Sequence, residues 1–108
     1  MVDVEPVRGA GADKRRPAVV VSNDGANASA SQKGRGVVTV VPVTSNIRRV
    51  HPFQVLRPAR ATGLRHDSKA QAEQVRSVAV QRLGPRVGSL PPAIMEKLDE
   101  ALRLHLAL

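Results

Sequence analysis

Two groups of polar residues each border an apolar run, and both carry side chains suited to binding a phosphate. The first group is basic and comprises Arg8, Lys14, Arg15 and Arg16. Arg16 directly precedes Pro17 and a run of valines, so a rigid strand would support its guanidinium. A guanidinium is a fixed cation whose planar donors match phosphate oxygens. A solvated basic loop remains an equally simple explanation of this group.

The second group follows the next apolar run and consists of Thr44, Ser45 and Asn46, with Arg48 and Arg49 close behind. Serine and asparagine are common where a strand ends in a turn, so this group also has a purely structural explanation. If a tight sheet brings the ends of the two strands together, Arg16 and Thr44 meet. Guanidinium, hydroxyl and amide groups would then surround a phosphate.

The histidines and glycines offer weaker candidates. His51, His66 and His105 lie far apart, and none has a second histidine or a cysteine at metal-ligand spacing, so we expect no metal site. His105 falls on the apolar side of a predicted helix, which favours a structural role. The Gly9–Gly11 segment precedes no predicted helix and lacks the lysine and hydroxyl of a nucleotide-binding loop. We therefore expect no cofactor.

Composition narrows the class of protein. The chain has 108 residues, enough for one domain, and its 17 Lys and Arg against 9 Asp and Glu give a net charge of +8. Such a charge favours a polyanionic partner, usually nucleic acid. The chain has no cysteine, which suits a reducing cytoplasm, and no run approaches the ~20 apolar residues that span a bilayer. No signal peptide is visible, so we expect a cytoplasmic protein without a membrane partner.

Several short strands and one helix are predicted from periodicity. The strands are Met1–Glu5, Pro17–Asn23, Val37–Ser45, Val50–Arg57 and a short Gly63–His66. Pro42 requires its strand to be an edge, bulged or bent. The segments Pro6–Arg16 and Asp24–Gly36 are predicted as loops, the second with room for one helical turn. Lys69–Val80 is ambiguous, because its first half favours helix and its second half favours strand; we favour strand.

The last segment predicts an amphipathic helix from Ala93 to Leu106. Ser89 can cap it, and Pro91 fits its first turn. Its apolar face is Ile94, Leu98, Ala101, Leu102 and His105, widened by Leu104, Leu106 and Leu108. Strands followed by one helix predict a mainly β fold, in which a small, strongly curved antiparallel sheet or barrel carries a C-terminal helix.

Four stretches, taken in order, resemble one known family. PVRGAGADKRRPAVVVSND, VVTVVPVTSNI, AQAEQVRSV with QRL, and LDEALRLHLAL are similar to the MazF/PemK toxin endoribonucleases of type II toxin–antitoxin systems. The similarity extends over essentially the whole chain, residues 1–108 as one domain, and is strongest to the actinobacterial branch. It implies an SH3-like barrel of the CcdB/PemK type that forms homodimers.

The resemblance also implies an activity, partners and a site. Family members cut single-stranded RNA without metal and thereby inhibit translation and growth, with mRNA, tRNA or rRNA as targets. An acidic antitoxin inserts into the same groove. Arg16 matches the principal catalytic residue, and Thr44 matches the second. The positions implied to bind RNA are Gly9, Lys14, Arg15, Ser45, Asn46, Arg48, Gln74 and Arg76. The segment Glu73–Ser77 matches a strand beside the RNA channel, which favours strand over Lys69–Val78.

The chain departs from the family pattern in three places. Members usually open with a further segment of the type RGEVW, so either the start of this chain was set too late or it lacks half of its first strand, which would leave a neighbouring edge unpaired. Gly11 replaces a loop acidic residue, with Asp13 nearby. The usual aromatics are missing, so base stacking would fall to Phe53, His51 or arginine planes. The cleavage sequence therefore does not transfer.

Two alternatives to an RNA-cleaving toxin remain at this stage. One is a non-enzymatic toxin of the same fold, similar to the CcdB proteins that act on DNA gyrase. The other is an inactive basic barrel that binds RNA without cutting it, which would give salt-dependent binding and intact RNA. The RP and TS motifs, at Arg16–Pro17 and Thr44–Ser45, favour the enzyme.

Overall fold

The computed structural model describes residues 3–8, 15–57, 67–84 and 88–108. The strands are β1 (Asp3–Arg8), β2 (Arg15–Val20), β3 (Val37–Thr44), β4 (Gln54–Arg57), β5 (Ser68–Gln71), β6 (Arg76–Ala79) and β7 (Gly88–Ser89). The helices are α1 (Asp24–Lys33) and α2 (Pro92–Leu106), and 3₁₀ turns occupy Ala72–Gln74 and Val80–Arg82.

The strands form one antiparallel sheet in the order β4-β5-β3-β2-β1-β7, and β6 also pairs with β3. The prediction of a mainly β fold with a C-terminal helix is confirmed. Over the described residues no pairing joins β4 to β7, so the sheet is open there rather than a closed barrel. β1 pairs with β2 on one side and with β7 on the other.

Strand β3 is central, and it changes partner near Pro42. On one side it pairs with β2, from Val20↔Val40 to Ala18↔Pro42. On the other side residues 37–40 pair with β6 and residues 43–44 with β5. Pro42 lies in the gap between these two ladders, where its missing N–H costs no hydrogen bond. The edge position considered for this strand is therefore wrong.

Each face of the sheet has its own core. Val19, Val41 and Val43 point to a cluster that includes Leu98 and Ala101 of α2, and we call this the α2 face. Ala18, Val20, Val38 and Val40 point the other way, to a cluster that includes Ala30 of α1, and we call this the α1 face. Successive strand residues alternate between faces. The valine run of β2 is buried on both, as its sequence predicted.

Helix α1 occupies most of the segment predicted as a loop, and that prediction is wrong. Its sequence, DGANASASQK, is rich in weak helix formers. Hydrogen bonds from Ser22 hold the helix to the sheet: its Oγ accepts from the Thr39 N–H at 3.1 Å and donates to Asn27 Oδ1 at 2.5 Å. Gly34, with φ of +63°, closes the helix in a conformation that favours glycine.

Three other predicted boundaries need correction. β1 continues through Pro6 to Arg8 and β2 begins at Arg15, so the predicted Pro6–Arg16 loop is too long at both ends. Only Gln54–Arg57 of the predicted Val50–Arg57 strand is a strand. The strand prediction for Lys69–Val80 is correct for β5 and β6 and wrong for the 3₁₀ turns. The predicted Gly63–His66 strand lies outside the described residues.

Helix α2 confirms the C-terminal prediction, with corrections at its ends. Pro91 occupies the N-cap position, and its carbonyl accepts from the Ile94 and Met95 N–H groups. Ser89 lies in β7, so its predicted capping role is wrong. Leu98 is 0% exposed, and His105 is exposed on the protein surface.

The apolar stripe of α2 is narrower than predicted. Leu104, Leu106 and Leu108 are 59%, 48% and 87% exposed, so they do not widen the buried face. Ala107 adopts a left-handed conformation, and the Leu108 N–H returns to the Arg103 carbonyl at 2.9 Å, which ends the helix.

The connection from β3 to β4, residues 45–53, is fixed at its far end by Gln54. Gln54 is 8% exposed, its Oε1 accepts from the His51 N–H at 3.1 Å, and its Nε2 donates to Glu73 Oε2 at 2.6 Å. The Ala72 N–H donates to the Phe53 carbonyl at 3.2 Å. The connection is thus tied to the 3₁₀ turn between β5 and β6.

We expect Leu98→Ala to destabilise the protein by about 2–5 kcal/mol, because it opens a cavity where α2 packs on the sheet. Urea unfolding followed by circular dichroism measures this. Leu108→Ala is the matched control and should change stability by no more than about 0.5 kcal/mol. Equal effects would contradict the described packing of α2.

We expect Gln54→Leu to destabilise the protein by about 1–3 kcal/mol, since the partly buried carboxyl group of Glu73 loses its hydrogen-bond donor. The same unfolding assay measures it. Gln81→Leu makes the same change at an exposed position and should have little effect. A Gln54→Leu protein as stable as the wild type would show that the bond to Glu73 contributes nothing net.

Candidate functional site

The β2–β3 ladder runs toward two predicted site residues. The last pair in the ladder is Ala18↔Pro42. The same register, if continued by two residues beyond the ladder, would set Arg16 opposite Thr44. Adjacent strands lie about 4.8 Å apart, and directly opposed positions share a face. Both positions belong to the α1 face, because they alternate with residues of the α2 face.

A third position extends this alignment. The β3–β5 ladder pairs Thr44 with Lys69, so Arg16, Thr44 and Lys69 occupy neighbouring strands on one face. We call these three positions the phosphate row. Lys69 is 8% exposed, and its Nζ donates to the Arg49 carbonyl at 2.5 Å. Lys69 was not among the predicted site residues, because it lies in a segment whose sequence is ambiguous between helix and strand.

Local hydrogen bonds shape the turn after Thr44. Thr44 Oγ1 accepts from the Asn46 N–H at 3.2 Å, and Asn46 Oδ1 accepts from the Arg48 N–H at 3.3 Å. A hydroxyl that accepts one bond still has its own proton to donate. Thr44 is half-buried, whereas Ser45, Asn46 and Arg48 are exposed. The turn therefore has a structural role and also displays polar groups beside the row.

Arg76 and Gln74 lie farther along β3. Arg76 pairs with Val40 on the α1 face and is exposed, and Gln74 is exposed in the 3₁₀ turn between β5 and β6. Val40 and Thr44 are four positions apart, which is about 13 Å along a strand. Arg76 therefore lies outside the row, and only a ligand that extends along β3 would reach both Arg76 and the row.

The candidates that precede Arg16 in the sequence are Gly9, Lys14 and Arg15, and only Arg15 lies within the described residues. Arg15 starts β2 opposite Arg8, and it alternates with Arg16, so its position belongs to the α2 face. Gly9 and Lys14 lie outside the described residues.

The aromatic rings form a separate group on the other side. His51 and Phe53 stack with ring centroids 5.3 Å apart and an interplanar angle of 14°. Phe53 also meets His105 of α2 at 6.4 Å. Because α2 packs on the α2 face, this stack lies away from the phosphate row.

The described ranges contain no grouping suited to a metal ion and no helix suited to crossing a membrane. No cluster of three or more histidine, aspartate or glutamate side chains there could hold a metal ion. No helix in those ranges combines the length and apolar character needed to cross a bilayer.

Several known proteins are similar to this chain in sequence or in fold. Residues 1–106 match the model of the PemK-like, MazF-like toxins of type II toxin–antitoxin systems. A Mycobacterium tuberculosis protein named endoribonuclease MazF9 is 61% identical over 107 residues, which cover 99% of this chain and 91% of that protein.

Two solved structures show the same fold. The M. tuberculosis toxin MazF-mt6 superposes with a TM-score of 0.79 at 23% identity, covering 98% of this chain and 97% of its own. A mycobacterial endoribonuclease in complex with its cognate antitoxin superposes with a TM-score of 0.77 at 24% identity. The match covers 98% of this chain and 92% of that one. With a family match over nearly its whole length and a relative of such high identity, the chain belongs to the PemK-like, MazF-like toxin family.

Proposed function

We propose that this chain is the toxin of a type II toxin–antitoxin pair and that it cuts single-stranded RNA without a metal ion. The observation that carries this proposal is the β2–β3 register, which would set Arg16 opposite Thr44 if continued two residues beyond Ala18↔Pro42. Family membership and the name of the 61% identical relative support it. The family match over residues 1–106 supports one domain. Nothing observed favours a gyrase-directed toxin or an inactive RNA-binding domain.

The chemistry would use the RNA as its own nucleophile. The 2′-hydroxyl attacks the adjacent phosphorus, the bond to the 5′-oxygen breaks, and the products are a 2′,3′-cyclic phosphate and a 5′-hydroxyl. The 2′-hydroxyl would pass its proton to solvent water and the leaving oxygen would take one from solvent water, so the step releases no net proton. Negative charge grows on the phosphoryl oxygens in the transition state, so preorganised donors directed at them accelerate the step.

Arg16 and Thr44 suit different parts of this task. A guanidinium stays protonated throughout the physiological pH range and is a poor general base or acid, so we assign Arg16 chiefly to stabilising the phosphoryl charge. The Thr44 hydroxyl, which retains its own proton, would bind a phosphoryl oxygen or orient the 2′-hydroxyl. Neither role requires a third group held by the protein.

The other predicted residues would bind the RNA on either side of the cut. Ser45, Asn46 and Arg48 are exposed in the turn beside the row, and Gln74 and Arg76 lie along β3. Lys14, Arg15 and Gly9 belong to the basic segment before Arg16 and would contact the backbone. Phosphate contacts of this kind position RNA without reading its sequence.

The net charge of +8 suits two anionic partners, RNA and an acidic antitoxin that competes for the same surface. A solved relative of this fold is in complex with its cognate antitoxin, which supports this partner for the present chain. We further propose a cytoplasmic homodimer, the arrangement that the family resemblance implies.

Arg16→Ala should lower the rate of RNA cleavage in EDTA by about 10²–10³, since it removes a preorganised donor. Thr44→Val, which keeps the shape of the side chain, should also lower the rate. Gel analysis of a mixed-sequence RNA, with primer extension to map the cuts, measures both. Arg103→Ala is the control, because Arg103 is 61% exposed on α2 and should leave cleavage unchanged. Cleavage by Arg16→Ala at the wild-type rate would overturn its assignment.

A single 2′-deoxy substitution at the cleaved nucleotide should abolish cleavage, because it removes the nucleophile. Mass spectrometry of the fragments from the all-ribose substrate should show 2′,3′-cyclic phosphate ends. The control oligonucleotide carries its deoxy substitution at a distant nucleotide. Cleavage of the blocked substrate would mean that water attacks instead.

A further inference from the structure

Lys69 is a cation in an unusual setting. Its side chain is 8% exposed, it lies beside Thr44 on the α1 face, and Leu56 of β4 is its partner on the other side. Removing an ammonium from water is costly unless hydrogen bonds replace the lost hydration. Among the described residues, the partner of this ammonium is the Arg49 carbonyl at 2.5 Å. A carbonyl solvates the charge but does not neutralise it.

The bond to Arg49 ties the polar turn to the sheet. The bonds of Thr44 to Asn46 and of Asn46 to Arg48 span only two residues each, so they shape the turn without setting its position. Gln54 holds the opposite end of the connection. The Lys69 bond joins residues 20 positions apart and holds the middle of the connection against β5.

We propose that Lys69 is a positioning residue, which holds residues 45–49 at the phosphate row so that their polar groups face bound RNA. This inference rests on the proposed function, since it assigns the turn to RNA binding. Lys69 acts through Arg49 and the turn, and the chemical step remains with Arg16 and Thr44.

The first experiment needs no RNA. Amide hydrogen exchange of residues 45–50 in the free protein should accelerate roughly tenfold or more in Lys69→Met, because a charge-assisted bond to the turn is lost. Lys69→Gln, which is polar but too short to reach Arg49, is a second variant should the first fail to fold. Lys97→Met removes an exposed lysine from α2 and should leave exchange unchanged. Unchanged exchange in both Lys69 variants would overturn the proposal.

The second experiment separates binding from chemistry. With Lys69→Met we expect KM for RNA to rise roughly tenfold while kcat stays within about threefold of the wild-type value. The reason is that a displaced turn weakens binding of the substrate and of the transition state equally. Lys69→Arg, which retains a charged donor, should restore most of the affinity. A fall in kcat at constant KM would overturn the proposal by placing Lys69 in the chemical step.

Salt dependence tests whether Lys69 contacts RNA itself. Loss of a direct phosphate contact lowers the slope of log affinity against log salt by about one. We expect Lys69→Met to keep the wild-type slope, and a reduced slope with unchanged amide exchange would overturn the positioning role.

If the wild-type chain cut no RNA, the proposed function would fail, whereas the exchange measurement would still decide whether Lys69 orders the turn.

Discussion

The position of β3 between β2 on one side and β5 and β6 on the other is the constraint on which the rest of the molecule depends. Both faces of this strand are buried, by α2 and by α1, so a shift of one residue would exchange its two sets of side chains. The same register decides which residues flank Thr44. The apolar packing of the strand and the composition of the site are therefore set by one alignment.

The sequence predicts those parts of the fold in which local pattern and tertiary packing agree. The valines of β2 and β3 and the period of α2 identify their elements, because burial and propensity favour the same structure. Helix α1 was missed because its stability comes from the Ser22 hydrogen bonds and from Ala30 packing on the sheet, neither of which is visible in a polar sequence. Leu104, Leu106 and Leu108 continue the apolar pattern but remain exposed.

For the site, sequence reasoning and structure contribute different parts. Arg16 and Thr44 could be proposed together because each borders a strong strand and matches a family motif. Lys69 could not, because its importance comes from a partner strand and from a main-chain carbonyl, and neither leaves a pattern in the sequence. The alternation along β2 also separates Arg15 from Arg16, which composition alone treats as one basic cluster.

The partner exchange at Pro42 has a consequence for the order of folding. Pairing of β3 with β2 needs only the chain up to residue 44, whereas its other side needs strands that begin at residues 68 and 76. The pairs of β3 with β6 also lie farther apart in sequence than its pairs with β2, so a longer loop must close before they form. A nascent or truncated chain that ends before β5 would thus contain Arg16 and Thr44 without the strand that completes their surroundings. For a protein toxic to its own cell, this delays competence until most of the chain exists.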